Sequence, residues 1–538
     1  MMIAGLILAP VLFVLSSLGA DTGDVWNHLA TTVLPRYVIN SLWILLGVGA
    51  GVLLIGVSTA WLVTMCRFAG SQIFEWALLL PLSAPAYVLA YTYTDFLQFT
   101  GPVQTQLRHL FSWDLGDYWF PNVRSLAGAI LMLTLVLYPY VYLVSRLAFL
   151  EQSVRTLEVS RSLKCGPWQS FRKVALPIAR PSIVAGLSLA LMEALNDFGT
   201  VQYFGVDTFT TGIYRTWFGM GERIAASQLA ACLLIFIFLL LWLEQGSRRR
   251  ARYYQATSQT HSLTSYPLQG LRAVAAWLIC FLPVGLGFLL PATVLLSMTL
   301  EDLNPLAQER FWRIASNSLI LATLTAGLAV VISLILAYGL RLHSTLGLRI
   351  SARLASMGYA LPGSVIAVGV LIPIGRLDNA IDAWMQSVFG ISTGLLLSGT
   401  ITALIFAYLV RFLAVSFTSV ESSLSRIKPH LDEAARSLGH GPTSTLLRVH
   451  APIMWGGMLT AALLVFVDVM KELPATMVIR PFNFDTLAVQ AYQMAADERL
   501  TEAAGPSLAI VLVGVIPVIV LSCRIARSRS IFVDTPKE

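Results

Sequence analysis

Twelve stretches of this chain stay apolar over the roughly 20 residues that a helix needs to cross a bilayer. They run over about 2–19, 38–65, 74–98, 124–148, 181–203, 227–245, 272–297, 315–341, 353–376, 393–420, 457–479 and 506–524, and are numbered spans 1 to 12 here. A backbone in lipid has no water to bond, so each span has to pair its own donors and acceptors as a helix. The expected fold is all-α, a polytopic membrane protein of about 12 transmembrane helices. Charge content agrees. Charged residues are 12% of the 538, about half of what a soluble domain carries. The first apolar run has no basic stretch ahead of it. Leu18 stands where cleavage after Ala20 would need a small residue, so the run reads as a retained span.

Basic residues set the orientation. With the N-terminus inside, the cytoplasmic segments hold Arg67, the residues from Arg146 to Arg180, Arg248, Arg249, Arg250 and Arg252. They also hold Arg341, Arg349, Arg353, a group from Arg411 to Arg448, and the tail from Arg524 to Lys537. The opposite side holds fewer, among them Arg36, Arg108, Arg215 and Arg499. Both termini are therefore expected in the cytoplasm. The net charge of +7 belongs to these loops and does not ask for nucleic acid as a partner. Five scattered cysteines without a CxxC pair, and seven dispersed histidines, give no metal cluster.

The chain also repeats itself. Glu158 and Pro177 stand 19 positions apart, as do Glu433 and Pro452, and the two copies lie 275 residues apart. Asn40-Ser41-Leu42 recurs as Asn317-Ser318-Leu319, and Pro85 with Val88-Leu89-Ala90 recurs as Pro362 with Val365-Ile366-Ala367, both at an offset of 277. Two six-span halves are expected, 1–246 and 271–538, joined by a polar linker over 247–270. An even number of spans per half makes them parallel repeats.

Each half carries one polar loop, at 149–180 and 421–456. In the second, Leu424, Ile427, Leu431, Ala434 and Ala435 give an apolar stripe at helical spacing. Arg426, Lys428, Asp432, Glu433 and Arg436 lie mostly opposite, and Gly439, Gly441 and Pro442 break the helix before a second short amphipathic stretch. A lone loop of this kind is equally well a helix lying on headgroups. Two at matched places indicate a docking surface for another protein.

Glu433-Ala434-Ala435 with Gly439 and Ala451-Pro452 resembles the EAA loop of ABC importer permeases. The resemblance covers both halves. In that family the loop is the coupling helix seated in a cleft of the ATPase subunit. It implies coupling roles for Glu433, Ala434, Ala435, Gly439 and Gly441, and for Glu158, Gly166 and Pro167 in the first copy. That copy departs from the pattern: Val159 and Ser160 replace the alanines, and Lys164 replaces Gly439. No Gly-x-x-x-x-Gly-Lys-Ser/Thr loop occurs, so this chain is expected to bind no cofactor itself. ATP and Mg would sit on a partner, and two loops imply two ATPase copies. The family further implies a periplasmic binding protein, and location makes the outer segments 99–123, 204–226 and 480–504 candidates for its contacts.

Spans 5 and 11 carry acids in matched positions. Glu193 pairs with Asp468 and Asp197 with Glu472 at an offset of 275, four apart on one helical face in each span. An ionisable group at that depth costs several kcal/mol unless it has a partner or a wet path. Two readings fit: an acidic vestibule of Glu193, Asn196, Asp197, Asp468, Lys471 and Glu472 that passes a cation, or an ion-pair network in which Lys471 meets Asp468 or Glu472. The strings Leu195-Asn196-Asp197-Phe198-Gly199-Thr200 and Lys471-Glu472-Leu473-Pro474-Ala475-Thr476 resemble the ferric-iron permease group, which also fuses two halves. Thiamine, sulfate and polyamine permeases share the loop and remain alternatives. An ion-coupled secondary transporter would show charges deep in several spans. Here they concentrate in spans 5 and 11. No clustered histidine–carboxylate set points to a membrane enzyme.

Overall fold

The computed structural model describes residues 2–21, 23–114, 117–151, 167–249, 266–343, 345–355 and 358–533. Among these, ten helices are long and apolar enough to cross a membrane, and two sharply bent helix pairs bring the number to twelve. The protein is all-α and polytopic, as the hydropathy pattern demands.

The bent pairs show what hydropathy does not report. Span 3 divides into Ser71–Ser83 and Ala86–Phe111, which meet at 90°. Pro85, extended at φ −62° and ψ 144°, opens the second piece. A proline has no N–H to leave unpaired at a helix start, and it pushes Ala84 before it out of the helical region. Pro362 opens the Gly363–Phe389 helix of span 9 with the same geometry, φ −62° and ψ 141°. The repeated proline is therefore a repeated break. Span 1 is Gly5–Gly19 followed by Asp24–Thr32 at 95°.

Several sequence boundaries move. Span 10 starts at Ile401, not 393. The residues before it form a loop held by the span 9 helix: Asp378 accepts the Leu397 and Ser398 amides, and Asp382 those of Thr393 and Gly394. Arg411 and Arg146, counted above with the cytoplasmic loops, instead lie buried within Ile401–Ser425 and Leu126–Glu151. Arg146 pairs with Glu75 at 2.6 Å.

The second short stretch of the 421–456 loop is not a separate element. Pro442–Thr445 runs through a wide turn at Leu446–His450 straight into Ala451–Met470. The first half does the same with Phe171–Ala175, just before Leu176–Asn196. In each, the residue after the turn bonds five back, Ala451 to Leu446 and Leu176 to Phe171. The widened turn accommodates Pro452 and Pro177, which lack a donor and would crowd the preceding turn of an ordinary helix.

The chain packs as two compact units, each drawing on both sequence halves. One comprises Met1–Leu34, Phe209–Leu234 and Asn304–Gln490; the other comprises Pro35–Thr208, Ile235–Leu303 and Ala491–Glu538. In the first unit, Met2–Ser16 lies along Gly363–Phe389. Gly369 allows that approach, since a Cβ there would stand 2.6 Å from the Pro10 carbonyl oxygen. In the second unit, Cys280 and Val284 of span 7 join the core with Leu78 and Tyr138. There Tyr266–Pro267, inside the 247–270 stretch read as a linker, pairs in parallel with Cys66–Arg67 at the end of span 2.

Candidate functional site

The second repeated loop is ordered from its residues upward. The span 10 helix ends at Ser425, and the loop helix His430–Ser437 follows. Gly439 stops it at φ +79°, a conformation that costs a side chain but not glycine. The His440 amide bonds Ala435 O and the Gly439 amide bonds Arg436 O, a Schellman cap that pairs the last carbonyls. Gly441 then precedes Pro442, the first residue of the next helix.

The expected apolar stripe divides. Leu424, Ile427 and Ala435 are buried, whereas Leu431 and Ala434 are exposed and extend to exposed Leu438. Exposed Glu433 and Arg436 flank them. Asp432, placed on the polar face by periodicity, turns inward. Arg341, at the end of the Glu309–Leu342 helix, grips Asp432 Oδ2 from Nε at 2.9 Å and Nη2 at 2.6 Å. The same guanidinium donates to the Leu424 and Ile427 carbonyls at 2.8 and 2.9 Å. His450 donates from Nε2 to Asp432 Oδ1 at 2.6 Å, and Tyr338 to the Pro442 carbonyl at 2.8 Å. Burial alone would raise the Asp432 carboxyl, but the Arg341 and His450 bonds outweigh it and hold it below the usual carboxylate range. Sequence reasoning missed this set, because Arg341 lies about 90 residues from Asp432.

In the first loop, Glu158 and Gly166 lie outside the described residues, and Pro167 starts the Pro167–Ser170 helix.

The acids of spans 5 and 11 sit at breaks in both helices. Leu176–Asn196 stops and Gly199–Tyr203 resumes; Ala451–Met470 stops and Pro474–Ile479 resumes. Asp197 Oδ1 accepts the Thr200 and Val201 amides at 3.1 Å each, and Oδ2 the Thr200 hydroxyl at 2.9 Å. Glu472 Oε1 accepts the Ala475 amide at 3.1 Å. Each acid thus takes up N–H groups that the break leaves without intrahelical partners. Glu193 and Asp197 are half-buried and Asn196 is buried.

Of the two pairings open to Lys471, the structure has Asp468, at 2.9 Å. Glu472 instead meets Arg411, both about 5% exposed. Tyr408 and Thr476 share a 2.5 Å bond one turn away. Gly363 makes room for the pair, since a Cβ there would fall 2.5 Å from Glu472 Oε1 and 2.9 Å from Arg411 Nη1. Arg411, ten residues into an apolar helix, carries its own signal: a charge at that depth requires a partner. The repeated Asn40 and Asn317 also gain a role. They donate to the Asp207 and Asp485 carbonyls and fix the segment after each break.

In the segment 99–123, Arg108 lies over the Phe99 ring, and Phe111, Trp113 and Tyr118 stack. A cavity of about 490 Å³ opens there, with Gln98, Phe99, Tyr118, Asn122 and Arg124 in its wall.

Residues 1–253 match the family described as binding-protein-dependent transport system inner membrane component. The chain is 27% identical over 490 residues to the Fe(3+)-transport system permease protein FbpB 2 of Haemophilus influenzae, covering 90% of this chain and 88% of that one. It is 23% identical over 474 residues to the putative ferric transport system permease protein FbpB 1 of the same organism, with coverages of 84% and 71%. The molybdenum transport system permease protein ModB of Escherichia coli is 27% identical over 206 residues, 36% of this chain but 87% of its own length. A stretch of 36% of this chain therefore corresponds to nearly the whole of that smaller permease. Residues 1–253 thus resemble a binding-protein-dependent transport system inner membrane component, and the similarity to the two ferric permeases extends over most of the chain.

Proposed function

We propose that this chain forms the membrane path of an ATP-driven importer for ferric iron delivered by a periplasmic binding protein. The observation that carries the substrate is one of length. The relatives that match along most of the fused chain are named for ferric iron, whereas the molybdenum permease matches only 36% of it. The permease is the transport component. ATP and Mg belong to two ATPase copies, one seated on each cytoplasmic loop, and both termini lie in the cytoplasm. ATP-driven closure of the ATPases pushes on the loops, and the bundle alternates its access. Exposed Leu431, Ala434 and Leu438, ringed by Glu433 and Arg436, present a contact face suited to such a partner. A passing cation meets Glu193, Asn196 and Asp197 in span 5, and Asp468, Lys471 and Glu472 in span 11. Pairing with Lys471 and Arg411 makes span 11 less negative than its acids alone suggest.

The test is uptake of radiolabelled ferric iron into proteoliposomes holding the permease, its ATPase and its binding protein, with thiamine as comparison. Iron uptake that needs ATP and both partners is the expected result. Thiamine uptake alone would overturn the substrate, and uptake on an ion gradient without the ATPase would overturn the mechanism.

A further inference from the structure

In the second loop the anchor is polar and directional: Arg341 at the end of span 8 binds Asp432 and two loop carbonyls, and His450 binds the other carboxylate oxygen. His450 is fully buried, and its ring lies 5.6 Å from that of Tyr338. At the matching repeat positions of the first half stand Thr64 for Arg341, Trp61 for Tyr338, Leu157 for Asp432 and Ala175 for His450. None of these four rebuilds a charged link. Thr64 Oγ1 is buried with no hydrogen-bond partner, and Ala175 is fully buried. Among the described residues of that half, the end of span 2 meets aromatic rings. Trp61 packs on Phe171 at 4.9 Å and on Phe149 at 5.6 Å, and Phe171 stacks on Trp168 at 5.4 Å.

We propose that Arg341, Asp432 and His450 are positioning residues that transmit motion of the loop helix His430–Ser437 into span 8, a set of residues that the first half does not repeat at its matched positions. The inference rests on the reading of the loops as ATPase-coupling elements. The physical point is direction. Two guanidinium N–H groups on Asp432 Oδ2, with two further bonds to loop carbonyls, fix both distance and angle, so the loop helix and the span end move together. Breaking one charge therefore disconnects the loop from span 8 without touching the exposed docking face.

Hydrogen exchange on the permease–ATPase complex, with and without a non-hydrolysable ATP analogue, tests this with no need for a transported substrate. In the wild type, ATPase binding slows exchange in the loop helix, and the analogue changes exchange in the last turn of span 8. In Asp432→Asn the loop helix stays protected, while the span 8 response falls about tenfold, the factor carried by one lost charge-assisted bond. Asp432→Glu recovers it in part, and the last turn of span 2 responds as in the wild type. A wild-type-sized span 8 response in Asp432→Asn would overturn the link, as would loss of protection at the loop helix, which would make Asp432 part of docking or local folding. Absence of loop-helix protection in the wild-type complex would instead overturn the coupling reading itself. Should Asp432→Asn fail to fold, Arg341→Lys serves. It keeps the charge but loses the fork to the two carbonyls, and an undiminished span 8 response there overturns the proposal equally.

Discussion

Replacing Arg411 should destabilise the protein more than replacing Arg411 and Glu472 together. Both side chains are about 5% exposed and face each other inside unit one. Arg411→Met leaves the Glu472 carboxylate with the Ala475 amide at 3.1 Å, but without its countercharge. Removing one partner of a buried pair costs about 3–5 kcal/mol, because the other charge stays desolvated. Glu472→Gln should cost a similar amount, since the guanidinium cannot discharge. The double variant removes both charges with nearly conserved volume, and the introduced carboxamide retains an oxygen for the Ala475 N–H. Its cost should be about 1–2 kcal/mol. The singles therefore sum to well above the double, with a coupling of about 2 kcal/mol or more. Equilibrium unfolding in mixed detergent–SDS micelles, followed by far-ultraviolet circular dichroism, measures all four corners of the cycle. Destabilisation of the double variant by the full sum of the singles would show that the two residues act independently, and would remove the ion pair as the reason for Arg411 in an apolar span.

The remaining predictions concern the same elements. Gly363→Ala drives a methyl against Glu472 Oε1 and Arg411 Nη1 and should cost about 1–3 kcal/mol; an unchanged unfolding midpoint would contradict the contact. Gly439→Ala meets no neighbouring atom, so only the φ of +79° is at issue; the expected cost is about 1 kcal/mol, read as faster amide exchange at Gly439 and His440. The Asp432 carboxyl is held low in the folded state, so its stabilisation is complete above the unfolded value of about 3.9 and is lost as pH falls through the folded value. Asp432→Asn should accordingly be less stable than wild type at pH 7, with the gap narrowing below about pH 4; a constant gap would refute the linkage. Glu433→Lys, on the exposed face, should abolish transport and weaken ATPase association while the permease still inserts, and wild-type uptake in that variant would remove Glu433 from the coupling surface.

Much of this protein is legible in one dimension. Hydropathy alone requires helices in a membrane, because lipid offers the backbone no other partner. The offsets of 275 and 277 reveal the repeat, and the structure turns its markers into physical roles: Pro85 and Pro362 as breaks, Asn40 and Asn317 as ties, Gly439 as a left-handed stop. The breaks and the stop are local effects of φ and of missing donors, so they travel with the residues, whereas the asparagine ties reach across 167 and 168 residues of chain. Tertiary structure decided what lies beside what. An apolar stretch states that it crosses a bilayer, not which face it packs on. Span 1 accordingly lies along span 9, and the compact units are assembled from segments of both sequence halves. Charges show the same limit. Arg411 reads as a loop cation until Glu472 is seen across the core, Asp432 reads as surface until Arg341 reaches it, and Lys471 had two candidates until geometry selected Asp468. A buried charge declares in sequence only that it needs a partner. Which partner it takes depends on helices that meet across 60 or 90 residues of chain, and no local pattern encodes that meeting.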